Sequence, residues 1–267
     1  MNKQQPIGVF DSGLGGLTVL RALKKQLPNE SFIYIGDTAH VPYGNKSQKS
    51  IIDYSKTLSE FLINKYNVKM IVIACNTASA LALKTLQKTI TIPILDVISP
   101  MQNLLIHHGS IRRIGIIGTY NTIESQSYNK LLLKKNPELQ IFSQACPLFV
   151  PLIEEGLENH KITKTISKEY LQKLIADKIE LLILGCTHYP IMQNTIRYCL
   201  PEFIDIVDSP EMLAQQVKIY LQKNELFSKH QKPKIEVMVT DFNQQFSAFA
   251  NKILGTTQYT ISAIKLF

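Results

Sequence analysis

Two short stretches carry side chains able to move protons. In IVIACNTASA, residues 71–80, an apolar run ends at Cys75, with Asn76 and Thr77 behind it. In LGCTHYP, residues 184–190, a second apolar run ends in Cys186, Thr187 and His188. A thiol with an ordinary pKa of about 8.5 can act as acid or base near neutral pH. At the junction of a strand and a helix it also meets helix N–H groups, which favour a thiolate and attract anions. Inverting a carbon stereocentre needs a base on one face and an acid on the other. Two thiols facing each other across a small anionic ligand can supply both, exchanging roles in the reverse direction.

Other chemistries fit less of the pattern. A lone cysteine is usually a buried structural residue, and Cys146 and Cys199 keep that reading. Cys186 and His188 offer two metal donors where a structural zinc wants four, and the histidines at 40, 107, 108, 160 and 230 add no ligand spacing. A Cys186–His188 nucleophile pair remains open but gives Cys75 no task. A non-catalytic amino-acid-binding or DNA-binding protein gives neither thiol one.

Two further stretches belong with the cysteines. DSGLGG, residues 11–16, follows an apolar run and permits a tight turn and close backbone approach, with Asp11 and Ser12 turned inward. It is not a dinucleotide fingerprint. GDTAHVPYGNKS, residues 36–47, places Tyr43 and Gly44 in a polar loop after a second strand, suited to binding.

The elements that must position these residues alternate. Strands are expected at 6–10, 32–35, 70–74, 93–97, 113–118, 140–145, 181–185, 204–207 and 235–239. Helices are expected at 15–26, 47–66, 77–89, 100–108, 122–135, 163–178, 190–199, 210–222 and 243–254. Such alternation predicts an α/β fold with mostly parallel sheets. The order repeats: IGVFDSGLGGLTVL is matched in role by IGIIGTYNTIESQ, and IVIACNTA by LLILGCTHYP, at nearly equal offsets. The fold class is therefore α/β, as two pseudo-symmetric, doubly wound halves, each with a cysteine at the carboxyl end of a strand. Ligands bind at that end of open α/β sheets, so a cleft between the halves is expected.

The 267 residues suffice for one large domain or two small ones. No apolar run is long enough for a membrane span, and the N-terminus lacks a signal-peptide core; a cytoplasmic protein is expected. Four cysteines without a C-x-x-C pair argue for free thiols. The net charge of +8 is spread along the chain, which disfavours a nucleic-acid partner and suits attraction of an anionic substrate.

The chain resembles the aspartate/glutamate racemase family, a group of cofactor-independent enzymes. The resemblance runs from IGVFDSGLGGLTVL through YIGDTAHVPYGNKS, IVIACNTASA, IGIIGT, CPLFVPLIEEG and LGCTHYP to DFNQQFSAFANKILG. It implies a racemase using Cys75 and Cys186 as the acid/base pair, without cofactor or metal. Asp11 would sit near Cys75, and His188 and Glu155 would support the Cys186 side. Asp11, Ser12, Tyr43, Gly44, Asn76, Thr77, Thr187 and His188 would surround the substrate. His188 favours glutamate over aspartate, the alternative substrate. D-Glutamate would then serve peptidoglycan synthesis in a bacterium, with a homodimer as the candidate assembly and no membrane partner. The resemblance also implies domains at 1–97 plus 209–267 and at 98–208. Two departures stand out: His40 in place of Arg, and Thr240 in place of Gly.

Overall fold

The computed structural model describes residues 2–104, 110–242, 244–255 and 258–266. Its strands form two separate parallel sheets. The first, in the order β10-β9-β2-β1-β3-β4, uses β1 (Ile7–Asp11), β2 (Phe32–Gly36), β3 (Met70–Ile73), β4 (Ile94–Asp96), β9 (Ile235–Val239) and β10 (Thr260–Ala263). The second, in the order β6-β5-β7-β8, uses β5 (Arg113–Gly118), β6 (Gln140–Ala145), β7 (Leu181–Gly185) and β8 (Asp205–Asp208). Every strand pair is parallel, the arrangement the strand–helix alternation predicts.

Alternation within the central strands explains their uniform apolarity. Ile7, Val9, Phe32, Tyr34, Met70 and Val72 enter one core cluster, and Phe10, Ile33, Ile35, Ile71 and Ile73 enter another on the opposite face. Both faces are covered, as parallel sheets require. The first cluster runs on into the second sheet through Ile116, Leu182 and Leu184. The second is completed by Ile51, Leu58 and Leu62 of α2 (Gln48–Tyr66) and Ala78, Ala82 and Leu86 of α3 (Asn76–Thr89).

At the amino ends of the first sheet lies a buried ion pair. Lys69 Nζ stands 2.6 Å from Glu30 and also donates to the carbonyls of Lys3 and Leu226, each at 2.9 Å. Glu30 in turn accepts from the Ser228 N–H at 2.7 Å. Four chain segments are tied there, and the ammonium's hydrogen-bonding needs are met, the condition under which burying a charge is tolerable.

Several elements differ from expectation. The helix expected at 122–135 is two, α4 (Tyr120–Glu124) and α5 (Ser127–Lys135), broken at Gln126 with φ of 57°. The one expected at 190–199 begins as a 3₁₀ turn, Tyr189–Met192, before α8 (Gln193–Cys199). The one expected at 100–108 lies partly outside the described residues; Ser99–Asn103 form a 3₁₀ turn. The short α6 (Phe149–Glu154) and the edge strand β10 had no expectation, the first holding only six residues and the second being largely exposed. The remaining helices, α1 (Leu17–Gln26), α7 (Lys161–Ala176), α9 (Pro210–Lys223) and α10 (Gln244–Leu254), fall where periodicity places them, within two residues at each end.

Candidate active site

Strand order reverses between β1 and β3 in the first sheet and between β5 and β7 in the second. A crevice opens at the carboxyl ends of strands at such points. Asp11 and Cys75 stand there in one sheet, Thr119 and Cys186 in the other. A cavity of about 30 Å³ lies between them. Its walls include Ser12, Tyr43, Gly44, Cys75, Asn76, Thr77, Cys186, Thr187 and His188, all singled out above. Both cysteines are buried, as is Cys146, whereas Cys199 is half-buried on α8.

Cys75 is the N-cap of α3. Its sulfur accepts from the Ala78 N–H at 3.5 Å, and its thiol points to Ser12 Oγ at 3.7 Å. The N–H groups of Asn76 and Thr77 precede the helical ladder, as at any helix start, and suit an anion. Burial, followed by the repulsion of Asp11, pushes the Cys75 thiol up to about 12, despite the opposing hydrogen bonds from Ala78 and Ser12. At neutral pH it is a thiol.

Cys186 has different company. His188 Nδ1 lies 3.9 Å from its sulfur, and His188 Nε2 lies 3.0 Å from Glu154 Oε1. Burial pulls the imidazole down, but hydrogen bonds to Cys186 and Glu154, with their charges, raise it to about 10. An imidazolium therefore stands beside this sulfur. Glu155, expected to support this side, does not make the contact: it is the C-cap of α6, one residue beyond the carboxylate that meets His188. The neighbouring Glu154, the last residue of α6, is the one aimed at His188.

Asp11 is fully buried and lies outside the cavity lining. Its Oδ2 accepts from Gly13 and Gly16 N–H, each at 3.0 Å, while Thr187 Oγ1 donates to Oδ1 at 3.5 Å. Burial raises its pKa, while His188 and these N–H groups pull it down. The DSGLGG turn is seated directly on the other half. A Cβ at Gly15 would fall 2.3 Å from His188 Nδ1 and 2.4 Å from Thr187 Oγ1. Likewise, a Cβ at Gly44 would fall 2.8 Å from Thr119 Cβ. Both glycines are thus needed for close approach, the second use that a Gly-rich loop allows.

Tyr43 lines the cavity, but its hydroxyl is turned away to donate to Asp37 at 2.6 Å. The two departures, His40 and Thr240, meet that same carboxylate: His40 Nδ1 at 2.9 Å and Thr240 Oγ1 at 2.8 Å. They form one cluster that staples the loop after β2 to the end of β9. Val41, Pro42, Thr119 and Val150 complete the cavity wall, and Thr119 and Val150 had no sequence expectation. The repeat could have found Thr119, since it follows β5 as Ser12 follows β1. Thr119, Thr77 and Thr122 join hydroxyls across the two halves at 3.0–3.4 Å.

Among the described residues, no group of three or more His, Cys, Asp or Glu is arranged for a metal ion, and no helix is long and apolar enough to cross a membrane.

Comparison with known proteins gives a consistent result. A family model described as Asp/Glu/Hydantoin racemase matches residues 7–217. The glutamate racemase of Sulfurihydrogenibium sp. (strain YO3AOP1) is 42% identical over 250 residues, 94% of each chain. That of Syntrophus aciditrophicus (strain SB) is 40% identical over 271 residues, the whole of both chains. The crystal structure of glutamate racemase from Francisella tularensis in complex with D-glutamate superposes with a TM-score of 0.92 at 38% identity, covering 99% of this chain and 98% of that one.

Proposed function

The chain belongs to the Asp/Glu/Hydantoin racemase family, and from that premise we propose that it interconverts L- and D-glutamate by proton transfer at the α-carbon, with Cys75 and Cys186 as the two bases. The observation that carries this reading is the pair of thiols. They come from different sheets, each at a switch point, onto one small cavity.

In this mechanism one sulfur, as thiolate, removes the α-proton. The other, as thiol, delivers a proton to the opposite face of the planar carbanion. Cys186 takes the proton from L-glutamate, the imidazolium of His188 giving its sulfur a positive neighbour. Cys75, held as a thiol, is the donor in that direction, and the roles reverse for D-glutamate. The carboxylates lie against the first N–H groups of α3 and the loop at Tyr43 and Gly44. The D-glutamate feeds peptidoglycan precursors, which places the protein in the cytoplasm.

Incubation of L-glutamate in deuterated water without added cofactor tests the proposal, read by circular dichroism and α-proton NMR. Ellipticity should decay to zero as the α-proton signal disappears, and L-aspartate should be a poor substrate. Retained ellipticity, or faster turnover of aspartate, would refute it.

A further inference from the structure

Asn76 is held from outside the cavity it lines. Its Nδ2 donates to the hydroxyl of Tyr128 at 2.7 Å, and that hydroxyl lies 3.3 Å from Ser209 Oγ. All three residues are buried. Tyr128 comes from α5, in the half that carries Cys186, and Ser209 sits where the chain crosses from β8 to α9. A phenol has one proton to give. When it accepts from Asn76 that proton is free to go to Ser209, and the direction of the Asn76–Tyr128 hydrogen bond is met without the carbonyl oxygen of Asn76. The carboxamide then turns its NH₂ toward Tyr128 and its carbonyl oxygen the other way.

That oxygen, Asn76 Oδ1, is buried and has no hydrogen-bond partner among the described residues. A buried acceptor without a donor is rare and unfavourable. The cavity wall at Asn76 is therefore short of one donor. At neutral pH both carboxylates of glutamate are acceptors only, and its sole donor is the α-ammonium group. A carboxylate set against Oδ1 would be repelled.

We propose that Tyr128 is a positioning residue for substrate recognition: its hydroxyl orients the Asn76 carboxamide so that Oδ1 accepts from the α-ammonium group of the substrate. The proposal rests on the racemase reading above. It makes recognition of the amino group depend on a hydroxyl that belongs to the opposite half and that is anchored at the crossover between halves.

The test is Tyr128→Phe, which keeps the ring and removes the hydroxyl. KM and kcat are measured for both enantiomers, and inhibition is measured with glutarate, which has both carboxylates and no ammonium. KM should rise about tenfold for L- and D-glutamate alike, with kcat changed by less than about threefold, the pattern of lost uniform binding. Inhibition by glutarate should be nearly unaltered. Equal weakening of glutamate and glutarate would mark a general loosening of the site and overturn the proposal, as would a fall in kcat at constant KM. Ser209→Ala breaks the same chain at its far end and serves if the phenylalanine variant does not fold; it should shift the same ratio in the same direction by a smaller factor, and an unchanged ratio counts against the proposal. A wild-type protein that neither racemises nor binds glutamate would sink the racemase reading itself. Wild-type racemisation with no selective loss in Tyr128→Phe sinks the present inference alone.

Discussion

Cys75 and Cys186 occupy corresponding points of two similar strand–turn–helix units, yet their sulfurs are surrounded differently. Cys75 caps the 14-residue helix α3 and has a backbone N–H and the Ser12 hydroxyl as neighbours. Cys186 leads into a four-residue 3₁₀ turn with no capping side chain. In place of a helix terminus it has the His188–Glu154 pair, with Nε2 3.0 Å from the carboxylate. One half uses fixed backbone dipoles, the other a titratable group. Two similar backbone units thus carry different electrostatics. The contrast must also coexist with a symmetrical reaction: the enantiomers are equal in free energy in water, so kcat/KM is equal in both directions for any variant. Asymmetry between the two sides can surface only in which proton transfer limits the rate.

The largest effect should come from removing either sulfur. Cys75→Ala and Cys186→Ala should each lower racemisation by at least the ~10²–10⁴-fold typical of a general acid–base group, because one face then lacks a proton partner. Cys146→Ala and Cys199→Ala should keep most activity, as measured by the same ellipticity decay. A folded Cys199→Ala protein as inactive as Cys186→Ala would break the comparison at its root.

Next come the neighbours that distinguish the sides. His188→Asn should lower kcat/KM about tenfold in both directions, equivalent to roughly 1.4 kcal/mol. The α-deuterium isotope effect should rise for L-glutamate and fall for D-glutamate, because transfer at Cys186 becomes limiting. Ser12→Ala, which strips Cys75 of its 3.7 Å hydroxyl neighbour, should produce the mirror pattern with a smaller loss. Isotope effects that move in the same sense in both variants would show that the sides are not separately tuned.

The smallest effect concerns the proton on His188. Its pKa is raised in the folded protein to about 10, above the ordinary value of about 6.5. The pair's contribution to stability is thus complete below pH ~6.5 and is lost as pH rises through about 10. Glu154→Gln removes a partner that holds the proton, so the imidazole resonances should titrate at a lower pH by NMR. The decline of urea midpoint between pH 7 and 10 should also be shallower. Glu155→Gln should leave both unchanged, and an equal shift from Glu155→Gln would contradict the geometry at Nε2.

The sheets and most helices were legible because apolar runs and amphipathic periods are local signals, read directly from stretches such as MIVI and LLILG. The residues beside each cysteine in CNTA and GCTHYP were legible for the same reason: a strand's carboxyl end delivers its next few residues to one place. What stayed hidden depended on distance through space. Glu154 and Glu155 are equivalent in sequence, and only the end point of the short helix α6 decides which faces His188. Tyr128 and Ser209 carry no motif, and the Tyr128 hydroxyl, with Ser209 behind it, meets Asn76 only once two halves are docked. His40 and Thr240 read as separate oddities, but lie 200 positions apart on one carboxylate, Asp37. β10 escaped because Thr260–Ala263 is an edge strand with little to bury.

The strand order of the first sheet has a consequence for how the molecule is made. β9 pairs with β2, although the whole second sheet intervenes in the chain. On a ribosome delivering roughly 5–20 residues per second, β2 waits on the order of ten seconds for its neighbour. During that interval FIYIG, fully buried in the finished protein, is an open apolar edge, the kind that templates intermolecular pairing. Lys69 and Glu30 wait as well, since Leu226 and Ser228 have yet to arrive. The second sheet has no such delay, its four strands following one another without interruption. The half that carries Cys75 is begun first and finished last, and a chain terminated before residue 235 would keep that unfinished edge permanently.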